Sequence, residues 1–175
     1  MTAVLFAALM TTTALTSCGD NNDEPKKAEF AKAVVKYTVT AETSTLGLFK
    51  VSVYGTDADG NGFVETMSGP SYAKTVEIPV SKLPCTVTLS TKATPLEDKA
   101  STEIFDFVVN RFLEVSTLNN DNTAVDGKDH GNSSIYYDVP VGTSLSEVAK
   151  KMNKQEKLVI YIDAKGKVTD QTKDD

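Results

Sequence analysis

Val35-Lys36-Tyr37-Thr38-Val39-Thr40-Ala41 alternates without a break. Val35, Tyr37, Val39 and Ala41 share one face, and Lys36, Thr38 and Thr40 share the other. A period of two built on β-branched residues is the pattern of a strand with one face in a core and one in water. The same period recurs along the chain after this stretch. Phe49, Val51 and Val53 alternate with Lys50, Ser52 and Tyr54, and Asp57-Ala58-Asp59-Gly60-Asn61-Gly62 follows, dense in turn formers. Phe63 to Met67 then makes the return strand of a hairpin. Val76, Ile78 and Val80 alternate with Thr75, Glu77 and Pro79, and the proline places that strand at an edge or a strand end. Cys85, Val87 and Leu89 mark another strand, Ile135, Tyr137 and Val139 a short one, and Leu158, Ile160 and Ile162 the last.

Ile104 to Val115 fits two periods. Phe105, Phe107, Val109, Leu113 and Val115 suit one face of a strand with Arg111 as the misfit, whereas Ile104, Val108, Phe112 and Val115 suit a helix. Enrichment in Phe and Val favours the strand. Asn119 to Ser134 is polar and rich in Asn, Asp and Gly, the composition of a long loop. Ser144 and Glu147 have capping-box spacing, and Leu145, Val148, Ala149 and Met152 form one helical face.

These elements predict a mostly β chain: an immunoglobulin-like β-sandwich of about seven or eight strands, with one short helix near the C-terminus. Strands and helices do not alternate regularly, which argues against Rossmann-like and (β/α) barrel folds. The sandwich is expected over residues 31–168, with a polar tail at 169–175.

Hydrophobic residues make up 40% of the chain and charged residues 24%, the balance of a globular domain. Net charge is −6 and Arg111 is the single arginine, so there is no broad basic surface for nucleic acid.

The N-terminus has another character. Val4 to Leu15 is apolar but shorter than the roughly 20 residues that span a bilayer, and it suits a signal-peptide core. It ends in Leu15-Thr16-Ser17-Cys18, which resembles the bacterial lipobox, although Met1-Thr2-Ala3 lacks the usual basic residues. The resemblance implies cleavage after residue 17 and lipid attachment at Cys18, whose thiol would accept the diacylglyceryl group. Residues 18–30, acidic at Asp20, Asp23 and Glu24, then serve as a tether. With Tyr37-Thr38-Val39-Thr40, Asp57-Ala58-Asp59-Gly60 and Lys82-Leu83-Pro84, the chain is similar to small Bacteroidetes envelope lipoproteins carrying one β-sandwich. That resemblance implies the cell envelope, the outer membrane and the cell surface as its location, and it implies no activity.

Four groups of residues invite a chemical reading. Asp57, Asp59 and Asn61 match the opening of a calcium loop, with Glu65 as a further oxygen, but Ser68 stands where a closing Glu belongs. The same residues also make an ordinary hairpin turn. Tyr54, Tyr136 and Tyr161 fall on outward faces, where a ring stacks on a sugar or a partner protein. His130, the sole histidine, follows Asp126 and Asp129, a set that lacks the further imidazole or thiolate a metal site usually needs. Cys85 sits in an apolar alternation and suits a buried small hydrophobe better than a nucleophile.

No nucleophile–base pair or cofactor fingerprint is singled out by spacing. The leading expectation is therefore a non-enzymatic, membrane-anchored binding or accessory module for a protein partner. A calcium- or glycan-binding surface protein is the second reading, and a hydrolase the third.

Overall fold

A computed structural model describes residues 30–154 and 157–173. The expected signal peptide, Cys18 and residues 18–29 of the tether lie outside the described residues. Nine strands form two antiparallel sheets packed as a β-sandwich. In chain order the elements are β1 (Phe30–Ala41), α1 (Thr43–Leu48), β2 (Phe49–Thr56), β3 (Gly62–Thr66), β4 (Ser71–Pro79), β5 (Cys85–Pro95), β6 (Phe105–Asn119), β7 (Ala124–Val139), α2 (Leu145–Met152), β8 (Leu158–Ile162) and β9 (Val168–Asp170). One sheet has the order β4-β1-β6-β7 and the other β3-β2-β5-β8-β9.

The centre of the sandwich is an interlock of four strands. β1 crosses through α1 to β2 in the other sheet; β4 returns to pair with β1, and β5 returns to pair with β2. This is the order in which strands B, C, E and F connect in an immunoglobulin-like sandwich. The flanks differ, because the β6–β7 hairpin occupies the far side of β1 and β8–β9 extends the second sheet.

Alternation explains the core. Val35, Tyr37 and Val39 of β1, Val51 and Val53 of β2, Val87 and Leu89 of β5, and Ile160 and Ile162 of β8 are fully buried between the sheets. The Tyr37 hydroxyl keeps a partner there: it donates to the Thr56 carbonyl at 2.7 Å and accepts from the Thr56 amide at 3.2 Å. Burial pushes its pKa up to about 12. Leu145, Val148, Ala149 and Met152 of α2 join the same core, and the Ser144 hydroxyl accepts from the Glu147 amide as the capping box predicts.

Three expectations need correction. Residues 124–134 are the first part of β7, paired along β6, so the long loop shrinks to a turn at 120–123. That strand carries few apolar residues because it lies at a sheet edge, which hides it from a periodicity reading. Within the expected polar tail, Thr169 and Asp170 belong to β9 and pair with β8. A second short helix, α1, fills the β1–β2 crossover, held by Thr45, whose hydroxyl accepts from the Val108 amide at 2.9 Å.

Residues 104–115 resolve in favour of the strand, and Arg111 turns out to be part of the inner face. It is only 4% exposed. Its Nε donates to Asn132 Oδ1 at 2.6 Å, its Nη1 to Thr91 Oγ1 at 2.8 Å and its Nη2 to Ser134 Oγ at 2.8 Å. Ser134 passes the link on, donating to the carbonyl of Met152 at the C-terminal end of α2. That end carries partial negative charge, so a cation beside it is favoured. Burial lowers the guanidinium to about 10, still protonated at neutral pH. Arg111→Met strips buried Ser134 and half-buried Asn132 and Thr91 of their donor, and we expect it to lower the unfolding free energy by about 3 kcal/mol. Urea denaturation followed by circular dichroism measures this, and a loss under about 0.5 kcal/mol, the scale of an ordinary surface change, contradicts it.

Candidate functional site

The sandwich has two ends of different character. β1 starts at one end with Phe30, whose ring lies so close to Gly166 that a Cβ there would meet it at 2.7 Å. The turns at 57–61, 119–123 and 163–167 gather at this same end, because β2, β6 and β8 all run toward it. All three are built alike. Asp57, Asn119 and Asp163 each accept two amide hydrogen bonds on one side-chain oxygen, from the residues two and four positions on. Gly60, Asn122 and Gly166 each take the positive φ that closes such a turn.

The same geometry places the calcium candidate's side chains. Asp57 Oδ1 is occupied by the amides of Asp59 and Asn61 at 2.9 and 2.8 Å. The Asp59 carboxylate pairs with Lys82 at 3.0 Å, and Glu65 is drawn away on β3 to Lys74 and Tyr72. The three carboxylates thus each meet a different partner within a hairpin turn. Among the described residues, no group of three or more His, Cys, Asp or Glu side chains is placed to hold a metal ion.

The tyrosines do not converge either. Tyr54 and Tyr161 share the outer face of the five-stranded sheet, but on opposite sides of β5, opposite Ser90 and Thr86 respectively. Four residues along the strand and two strand spacings separate them by roughly 16 Å, too far for one sugar ring. Tyr136 corrects the expectation outright. It faces the core side, with Lys151 Nζ of α2 3.9 Å from its ring centre, and it is Ile135 and Tyr137 that face outward. The reversal comes from a β-bulge in which Tyr137 and Asp138 oppose the single residue Asp106. Asp138 takes a φ of 51° there, and its amide donates to Asp106 Oδ1 at 2.8 Å.

His130 lies on β7, not in a loop. Its Nδ1 is 2.6 Å from Asp170 Oδ2 on β9, so the pair joins the edge of one sheet to the edge of the other. Asp126 helps, accepting from the Val168 amide at 2.8 Å. The arrangement is a clasp between the sheets. Cys85 is half-buried and burial pushes its thiol up, away from the reactive thiolate.

The opposite end is apolar where it meets solvent. Leu96, Ile104, Tyr137 and Val141 are 58 to 64% exposed there. Ile104 and Tyr137 stand on the outer side of the β6–β7 pair beside the bulge, and Val141 follows in the loop to α2. The segment 97–103 is laced to this loop: Ser101 donates its amide to Thr143, and Leu145 donates its amide to Lys99. Leu96 borders a cleft of about 260 Å³ whose other apolar walls are Leu46, Phe49 and Met67. Sequence patterning missed this surface, because Ile104 and Val141 lie outside regular strands and Tyr137 alternates as if it faced inward.

No family model, curated protein or solved structure matches this chain. No described helix is long and apolar enough to cross a membrane. Function therefore has to be argued from the two unlike ends and the sheet faces between them.

Two outcomes follow from the clasp and the turn. Burial tends to raise the Asp170 carboxyl, but hydrogen bonds from Thr172 and His130 outweigh it and hold the group below its usual 3.8. A carboxyl depressed on folding stabilises the fold above its unfolded value, and that contribution is lost as pH falls through the lower folded one. Thermal melts of wild type and Asp170→Asn should thus differ in favour of wild type above pH 3.8, with the gap closing below it; a gap unchanged by acid contradicts the clasp. Millimolar calcium should leave the melting midpoint where it is, and a rise abolished by Asp59→Ala would restore the ion site.

Proposed function

We propose that the chain is an exported lipoprotein of the cell envelope, anchored through lipid on Cys18 and acting as a non-enzymatic binding module for a protein partner. The observation that carries this reading is the polarity of the sandwich. The chain enters the fold at Phe30, at the end crowded with hydrogen-bonded Asp and Asn turns, while the exposed apolar residues stand at the other end. A tether fixed at Phe30 holds the first end toward the membrane and presents the second away from it. Twelve peptide steps lead from Cys18 to Phe30, a reach of about 40 Å at full extension.

A monomer rarely exposes neighbouring large apolar side chains without a use for them, and such patches mark contact surfaces. Ile104 and Tyr137 are suited to the central contact: an aliphatic side chain just before β6 and an aromatic one on β7 are held by a rigid strand pair and lose little conformational entropy on binding. The cleft beside Leu96 offers a seat for one further apolar side chain. The partner that fits is an envelope protein presenting an apolar segment with a polar rim. The outer leaflet and the cell surface follow from the resemblance to small Bacteroidetes envelope lipoproteins, and they belong to the same proposal.

Two experiments test it. Cys18→Ala should move the protein from washed membranes to the soluble fraction, and retention in membranes refutes the anchor. Tagged wild type that keeps Cys18, purified from native envelopes in mild detergent, should bring a stoichiometric partner. The double variant Ile104→Asp with Tyr137→Asp should lose that partner while keeping its melting midpoint within a few degrees, since both side chains are exposed. Val64→Asp, equally exposed on β3 but remote from this end, should keep it. Wild type that purifies alone, or a partner indifferent to the double variant, overturns the reading.

A further inference from the structure

A different surface carries a second inference, independent of the partner-binding end. On the outer face of the four-stranded sheet, two neighbouring cross-strand rows line an open cleft of about 350 Å³. One row is Thr38, Phe112 and Gly131; the next is Thr40, Asn110 and Ser133. We propose that this cleft is a binding site for a neutral pyranose sugar, with Phe112 as the stacking ring and Asn110 as the hydroxyl-reading amide.

The chemistry of each row supports one half of that assignment. Phe112 is 41% exposed in the middle of a sheet face whose other cleft-lining side chains are polar or absent. Opposite it stands Gly131, where a Cβ would meet the Phe112 ring edge at 3.1 Å. Glycine in a strand interior costs roughly 0.5–1 kcal/mol and marks places where another group approaches the backbone closely. Here the group that approaches is the Phe112 ring, which lies over the glycine and leaves part of its own surface open to the C–H face of a pyranose.

The second row supplies the polar half. Ser133 Oγ donates to Asn110 Oδ1 at 2.6 Å, and Asn110 Nδ2 donates to Thr40 Oγ1 at 3.2 Å, so three strands present one hydrogen-bonded chain of side chains. An amide has two N–H donors and two acceptor lone pairs, and these two bonds occupy one of each. What remains at Asn110, with the Ser133 and Thr40 hydroxyls, is a mixed donor–acceptor edge that matches sugar hydroxyls. Neutrality of the ligand follows from the next row along. Lys36 and Glu114 neutralise each other at 2.9 Å, and Asp129 lies across from Glu114, so an acidic sugar meets carboxylate there.

The rival account is that Phe112 merely covers the strand glycine, a known way to stabilise a sheet. Phe112→Leu separates the two, because it keeps apolar cover over Gly131 and removes the ring. The test is native gel electrophoresis through gels containing laminarin, xylan, mannan or galactan, with alginate as the acidic comparator. At least one neutral polysaccharide should retard wild type. Phe112→Leu and Asn110→Ala should weaken that retardation about tenfold, the size expected for losing one aromatic or amide contact. Both variants should melt within a few degrees of wild type, and Tyr137→Asp should be retarded like wild type. Wild type retarded by none of the four, or by alginate alone, overturns the proposal, as does retardation that both variants retain.

Discussion

Between the upper half of β5 and the edge strand β7, a guanidinium takes the place of apolar packing. β8 pairs with β5 only from Cys85 to Leu89, so the rest of β5 has no strand on the side away from β2. α2 occupies that space, and its C-terminal end has to be joined to two sheets at once. Asn153 joins it to β5, exchanging two hydrogen bonds of 2.8 Å with the backbone of Ala93. Arg111 joins β6 to Asn132 and Ser134 of β7 and to Thr91 of β5, and Ser134 returns to Met152 of α2. A buried cation is costly, and it persists where its donors are met and its charge is favoured by a helix end. With that side fixed, β7 is held at a level where His130 meets Asp170 and where the bulge turns Tyr137 outward. Both proposed surfaces rest on the β6–β7 pair that Arg111 positions.

The other side of the sandwich is closed by more ordinary means. The Phe63 ring stands edge-on to Tyr37, 5.4 Å between centres, and Lys74 reaches over Phe63 while pairing with Glu65. Gly55 is required beneath it, since a Cβ there would run into the Phe63 ring at 2.4 Å. Edge strands β3 and β4 are therefore shielded by charged and aromatic side chains, which discourages pairing with another sheet.

Much of the fold was legible in the sequence, because half-buried strands write a period of two. Val35 to Ala41, Phe49 to Tyr54, Cys85 to Leu89 and Leu158 to Ile162 all lie in strands, and Pro79 does end an edge strand. What was not legible had physical causes. β7 is a strand by virtue of pairing with β6 across Gly127, Asp129 and Gly131, none of which favours strands alone. Arg111 looked like an interruption because its partners come from residues 20 to 23 positions away. Tyr136 and Tyr137 exchanged faces because a bulge adds a residue that alternation cannot anticipate. One signal was present and unused: Asp57, Asn119 and Asp163 open three turns of one design, each with Gly or Asn three residues on. Read together, they would have placed the β6–β7 hairpin at Asn119 and shown that Asp57 opens a turn of the same design.

The structure assigns different tasks to different parts of one small sandwich. The Phe30 end is ordered by backbone-capping carboxylates and amides, the middle by core packing and the Arg111 junction, and the far end by loops that leave apolar side chains in water. The measurement that bears most directly on this account is site-specific photo-crosslinking in intact cells, with a photoreactive amino acid placed at position 137, at position 121 in the β6–β7 turn, or at position 64 on β3. The account predicts a discrete protein adduct from position 137 and none of that mass from positions 121 and 64. An adduct formed equally from 121, or none from 137, would contradict an interaction surface at the end opposite the tether.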